Sequence, residues 1–123
     1  MKELNKSDLG NLFMSKPLNG HHALITGGSR GIGASISNAL AALGASITII
    51  SRDIDKLKLQ ARHLEKKFKS SVFYTSADIT DGNQIKDSFA KSVASNGPIN
   101  ILINNAGIGK SMPFHKMNLE FWN

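Results

Sequence analysis

A chain of 123 residues that is 41% apolar and 20% charged is one domain's worth of ordinary globular sequence, long enough to bury about two-thirds of its unfolded surface if it closes a core. The absence of cysteine excludes a disulfide framework and a thiolate metal site, and no apolar run nears the ~20 residues of a membrane span. The net charge of +6 is concentrated in Arg52, Lys56, Lys58, Arg62, Lys66, Lys67 and Lys69; without interleaved aromatics or a binding motif, this run reads as a solvated helix face and not as a nucleic-acid surface.

Residues 1–19 read as a loose N-terminal extension, with residues 20–123 forming the folded unit. Lys2, Lys6 and Lys16 are offset by Glu3 and Asp8, arginine is absent, and no apolar segment is long enough for a secretory signal. The expected compartment is therefore the cytoplasm, with the mitochondrial matrix left open. Pro17 and Gly20 punctuate the boundary.

From there apolar runs alternate with helical patterns. The runs are Ala23–Ile25, Ile47–Ile50, Val72–Tyr74 and Ile99–Ile103. Between them, Ile32, Ile36, Leu40 and Leu43 recur at helical steps, then Leu57, Ala61, Leu64 and Phe68, then Ile85, Phe89 and Val93. Each helix is expected to bury the face those residues define. Boundary residues agree: Gly44 follows the first helix, Asp53 can cap the second, Thr80 or Asp81 the third, and Gly97-Pro98 ends it. Strands apolar through their length and joined by crossover helices predict a parallel sheet covered on both faces, in the order 3-2-1-4, an α/β doubly wound arrangement cut short after its fourth strand. The ligand crevice is expected above the carboxyl ends of strands 1 and 4.

The stretch Thr26-Gly27-Gly28-Ser29-Arg30-Gly31-Ile32-Gly33 joins the first strand to the first helix. A strand turning directly into a helix leaves backbone N–H groups without partners, at the end where the helix dipole favours an anion. Gly27 suits the sharp turn, Gly31 has no Cβ to block a pyrophosphate, and Gly33 allows close helix packing. The spacing is Gly-x-x-x-Gly-x-Gly, not the commoner Gly-x-Gly-x-x-Gly. Together with Asn104-Asn105-Ala106-Gly107, this stretch resembles the short-chain dehydrogenase/reductase family, whose N-terminal motifs read Thr-Gly-x-x-x-Gly-x-Gly and Asn-Asn-Ala-Gly. The resemblance runs from about Leu18 to the last residue and implies a Rossmann-type fold. It is nearest to 3-oxoacyl thioester (acyl-carrier-protein) reductases.

The resemblance implies cofactor-binding roles for Gly27, Ser29, Arg30, Gly31, Ile32 and Gly33, for Ser51 and Arg52, for Asp78 and Ile79, and for Asn104, Ala106 and Gly107. At the end of the second strand, an acid would grip the ribose 2′-hydroxyl of NAD. Ser51-Arg52 stands there instead, and a guanidinium matches a 2′-phosphate, so NADP is the expected cofactor and NAD the lesser one. Asp53 falls one residue late for the ribose acid. Asp78 has two readings: a carboxylate accepting from the adenine amino group, or a turn aspartate.

His21, His22, His63 and His115 show no metal-ligand spacing, so no metal is expected. In the family a tyrosine with a lysine four residues on, a serine and an asparagine carry hydride transfer. Here the one tyrosine, Tyr74, lies in a strand with Asp78 four residues on, and no catalytic residue is assigned. The expectation is a cofactor-binding half that is inert alone, taking a dinucleotide, and a small carbonyl substrate only within a complete protein. The family implies homo-oligomers for complete members, and an uncovered fourth strand implies self-association of this chain. A non-enzymatic nucleotide-binding module, or a truncated remnant that acts as an interaction fragment, stays open as an alternative.

Overall fold

The computed structural model describes residues 5–6 and 15–105. Strand β1 (His22–Thr26) leads to helix α1 (Gly31–Ala42), then β2 (Ser46–Ser51), α2 (Ile54–Phe68), β3 (Val72–Ser76), α3 (Gly82–Asn96) and β4 (Ile101–Asn104). The sheet is parallel throughout, in the order β3-β2-β1-β4, as the βα alternation predicts. Register places Thr26 between Ile50 of β2 and Asn104 of β4, and Ser51 beside Ser76. All the strand carboxyl ends therefore finish along one side of the sheet, which is where the loops carrying the sequence motifs meet.

Alternation along β1 divides the core, since successive strand residues face opposite ways. Ala23 and Ile25, with Ile47 and Ile49 of β2, pack against Ala41 of α1 and Leu57, Ala61 and Leu64 of α2. Leu24 and Ile50 face the other side, with Ala77, Phe89 of α3, Ile99 and Leu102. Helices thus cover both faces. Fully burying a leucine contributes about 1.5–3 kcal/mol, so Leu57 and Leu64, both at 0% exposure, anchor α2 more firmly than its outer charges could.

The caps follow their local sequence. Asp53 Oδ1 accepts from the Asp55 and Lys56 amides at 3.1 and 3.2 Å, and Asp81 Oδ1 from the Asn83 and Gln84 amides at 3.0 and 3.2 Å. Each satisfies two of the amides that a helix start leaves over.

Two helices are rotated from the expected facing. Ile32, expected in the buried stripe of α1, is 71% exposed, and the buried positions are Gly33, Ser37 and Ala41. The cause is Gly33: a Cβ there would fall on the Gly27 carbonyl oxygen and lie 2.8 Å from Asn105 Nδ2. The helix is pressed onto the turn through a residue with no side chain, and its small-residue face follows. Ile36 and Leu40 pack from the flank. In α3, Val93 is 43% exposed where burial was expected, and Ser88 and Ser92 are buried with Ile85.

A buried polar cluster explains the second rotation. His22 Nδ1 lies 2.9 Å from the Gly97 carbonyl, which can only accept, so Nδ1 carries the proton and Nε2 accepts from Thr48 Oγ1 at 2.7 Å. Thr48 Oγ1 in turn accepts from the Ser92 hydroxyl at 2.6 Å. Burial pushes the His22 imidazole below the ordinary histidine range, partly offset by its bond to Gly97. Asn100 Oδ1 accepts from the His22 amide at 2.8 Å, and the Asn100 amide donates to the His22 carbonyl. This clamp starts β4 at Ile101, two residues later than the apolar run, while Ile99 packs into the second cluster. Strand β3 likewise runs on to Ser76, past the expected end at Tyr74; Tyr74 packs at the edge of the first core cluster.

Candidate functional site

The two motifs meet above the carboxyl end of β1. Thr26 Oγ1 donates to Asn104 Oδ1 at 3.1 Å and accepts from the Asn105 amide at 3.0 Å, so one hydroxyl knits the end of β1 to the turn after β4. The Gly27 amide donates back to the Ile50 carbonyl at 2.7 Å. Gly27 and Gly31 both have positive φ, at 70° and 61°, a backbone state that disfavours any side chain. Around the Cβ position of Gly31 no atom of the described residues lies within 4 Å. The backbone at the start of α1 therefore opens onto free space.

That space is a cavity of about 450 Å³. Of the residues singled out in the sequence, Gly27, Ser29, Arg30, Gly31, Ile32, Ser51, Arg52 and Ile79 line it. Gly33 lies beneath the loop, Asn104 acts through Thr26, and Asp78 stands to one side, none of them on the wall. Ala106 and Gly107 lie outside the described residues. Thr26, Ile50, Lys56, Ala77 and Asn105 line the cavity too without having been named as binding residues from the sequence, and Asp53, read there as a late ribose acid, stands with them. A signal for Asp53 and Lys56 was available: in a parallel βα series every helix begins at the same side of the sheet, so the first turn of α2 has to stand beside the glycine loop.

The electrostatics favour an anion. The N-cap of α1, Arg30, makes no side-chain cap, unlike the aspartates that cap α2 and α3, and no acid stands in the first turn of α1. Among the described residues, Arg30, Arg52 and Lys56 line the cavity with one acid, Asp53, whose Oδ1 is engaged as the cap of α2. Ser29 Oγ donates to Ser51 Oγ at 3.3 Å, holding the glycine loop against the end of β2.

The Asp78 carboxylate closes a turn with Thr80 and meets Arg52. Its Oδ1 accepts from the Thr80 hydroxyl at 2.7 Å and the Thr80 amide at 3.0 Å, and from Arg52 Nη2 at 3.0 Å. The Thr80 hydroxyl and amide, with Arg52 behind them, hold the carboxyl below the usual aspartate range. Among the described residues no three His, Cys, Asp or Glu side chains converge as a metal site, and no helix is long and apolar enough to cross a membrane.

Comparison with known proteins gives this geometry its family. The family model described as short chain dehydrogenase matches residues 21–123. The chain belongs to the short-chain dehydrogenase family. It is 40% identical over 103 residues to an acetoacetyl-CoA reductase of Shinella zoogloeoides, covering 82% of this chain and 40% of that protein. An L-sorbose reductase of Gluconobacter frateurii, solved with NADPH and L-sorbose, superposes with a TM-score of 0.72 at 33% identity, over 85% of this chain and 40% of that one. A short-chain dehydrogenase/reductase of Burkholderia phymatum, solved with NAD, gives 0.71 at 26% identity, over 75% and 32%. This short-chain dehydrogenase chain thus spans about two-fifths of the length of the relatives it matches. The four-stranded sheet in the order 3-2-1-4 is the Rossmann-type arrangement these relatives share. These relatives differ in cofactor, the one solved with NADPH and the other with NAD.

Proposed function

We propose that the cavity holds the adenosine and pyrophosphate of a dinucleotide, NADP in preference to NAD, and that the chain is the cofactor-binding half of an oxidoreductase. One observation carries this reading: the uncapped start of α1 opens, at Gly31, into a cavity lined by Arg30, Arg52 and Lys56. Free helix-terminal amides suit a pyrophosphate, and a guanidinium suits a 2′-phosphate. The residues present fit the cofactor: the amides at Gly31 and Ile32 would face the pyrophosphate, Ser29, Arg30, Ser51 and Arg52 the phosphorylated ribose, and Ile79 the adenine. Gly27 and Gly33 shape the loop, and Asn104 supports it through Thr26. When bound, the cofactor supplies a hydride for exchange with a carbonyl or alcohol carbon.

The substrate class we assign is a carbonyl compound of the 3-oxoacyl thioester kind, supported by similarity to an acetoacetyl-CoA reductase. Tyr74 sits in β3 against the core and is removed from the cavity wall. No acid/base residue for hydride transfer is assigned, and the chain by itself should reduce no carbonyl.

Dissecting the cofactor tests this assignment. In calorimetric titrations the chain should bind 2′-phospho-ADP-ribose within a few-fold of its affinity for NADP, and nicotinamide mononucleotide should give no binding heat. Tight binding of the mononucleotide, or no binding of the ADP-ribose half, would contradict the reading.

A further inference from the structure

We propose that Asp78 sets how strongly the pocket distinguishes a 2′-phosphorylated adenosine from a plain one, by serving as the resident counter-ion of Arg52; this rests on the adenosine assignment above. Among the described residues, Arg52 is the one cation of the cavity wall that has a carboxylate partner. The two residues come from different loops, after β2 and after β3. Register brings them together: Ser51 lies beside Ser76, and the Ser76 hydroxyl donates to the Arg52 carbonyl at 2.9 Å.

The carboxylate is the fixed member of the pair. Thr80 donates to it twice, and the Asp78 amide donates to Gln84 Oε1 at 2.8 Å. Gln84 Nε2 then donates to Asp81 Oδ2 at 3.1 Å, so Asp78 is tied through this chain to the N-cap of α3. Arg52 is held only at its backbone and its tip, with 63% of its side chain exposed against 38% for Asp78. Asp78 is thus a positioning residue. It acts on the ligand through Arg52 and stands off the cavity wall.

The consequence is selective. A 2′-phosphate approaching Arg52 meets a guanidinium already shared with a carboxylate, and a like charge close behind it. A free 2′-hydroxyl carries no charge and is indifferent to both. Asp78 therefore restrains the preference for a 2′-phosphate and leaves the pocket open to the unphosphorylated nucleotide.

The test uses the full chain with adenosine 2′,5′-bisphosphate and 5′-AMP, which differ only in the 2′-phosphate. Asp78→Asn keeps an oxygen for both Thr80 donors and removes the charge. It should raise the ratio of the two affinities roughly threefold to tenfold, as expected for one exposed unit charge a few ångströms away that is screened by bulk water. The gain should shrink toward unity in an Arg52→Ala background and at high salt. If Asp78 instead contacts the adenine amine, both probes weaken by one factor and the ratio stays put, which overturns the proposal. A falling ratio overturns it too. Should Asp78→Asn not fold by circular dichroism, Asp78→Ser keeps an acceptor for the Thr80 amide and carries the same expectation. A wild-type chain that binds neither probe, or whose ratio ignores Arg52→Ala, sinks the adenosine assignment and the counter-ion role together. Intact wild-type selectivity with an unchanged ratio in the Asp78 variants sinks the counter-ion role alone.

Discussion

Replacing Arg52 by alanine removes the one guanidinium that follows β2 at the cavity wall, and it should weaken NADP binding while leaving NAD binding nearly unchanged. A charge-assisted hydrogen bond contributes ~1.5–3 kcal/mol. The structure places Arg52 toward the lower end of that range, because its side chain is 63% exposed and already paired with Asp78 at 3.0 Å, and an exposed, shared charge loses much of its strength to solvent. Since about 1.4 kcal/mol corresponds to a factor of ten, the expected loss is roughly tenfold. Calorimetric titration of the wild-type chain and Arg52→Ala with each cofactor measures it, with added salt narrowing the difference. Arg30→Ala should lose less, since Arg30 stands beside the anion site of the helix start and shares the load. Equal NADP affinity in wild type and Arg52→Ala, or tighter NAD than NADP binding in the wild type, would refute the reasoning and move the ribose contact to Asp53.

Gly33→Ala should destabilise the fold by ~3 kcal/mol, the upper end for overpacking, because the new Cβ falls on the Gly27 carbonyl oxygen, a backbone atom that no rotamer change can move; a Tm unchanged within about 2 °C would contradict this. His22 is held below its ordinary pKa by burial, so the unfolded chain takes up a proton first, and stability should fall as pH drops below the ordinary histidine value of 6.5 toward the lowered folded value. Above that range His22 contributes no slope, and urea titrations of His22→Gln between pH 5 and 7 should show the slope gone. Strand β4 pairs only with β1 among the described residues, so sedimentation velocity should show self-association through its outer edge, and a single sharp monomer boundary would count against it.

What was legible in the sequence was what is local or repetitive. The βα alternation implied the sheet order, and Asp53 and Asp81 cap the helices they precede, because a cap is decided within three residues. The facing of α1 was not legible from its isoleucines and leucines. It is decided by contact between Gly33 and Gly27, and Ile32 is left on the cavity wall as a result. The exposure of Val93 follows from Ser92 reaching Thr48 and His22, residues far apart in the chain that only the assembled sheet brings together. For the same reason Arg52 and Asp78 were each singled out, yet their ion pair went unseen: it depends on the register of β2 against β3. The glycine loop itself was legible because strand, turn and helix start are contiguous, and eight of the residues named from the motifs do share one cavity.

The measurement that bears most directly on the proposed role is a nuclear magnetic resonance titration of the isotopically labelled chain with NADP. The amides of Gly27, Gly31, Ile32, Gly33, Ser51 and Arg52 should shift together and saturate at one dissociation constant, while those of His22, Gly97 and Asn100, at the far end of the sheet, stay in place. Saturable shifts centred on the far end, or no shifts at the glycine loop at millimolar NADP, would contradict the assignment of this chain as a cofactor-binding half.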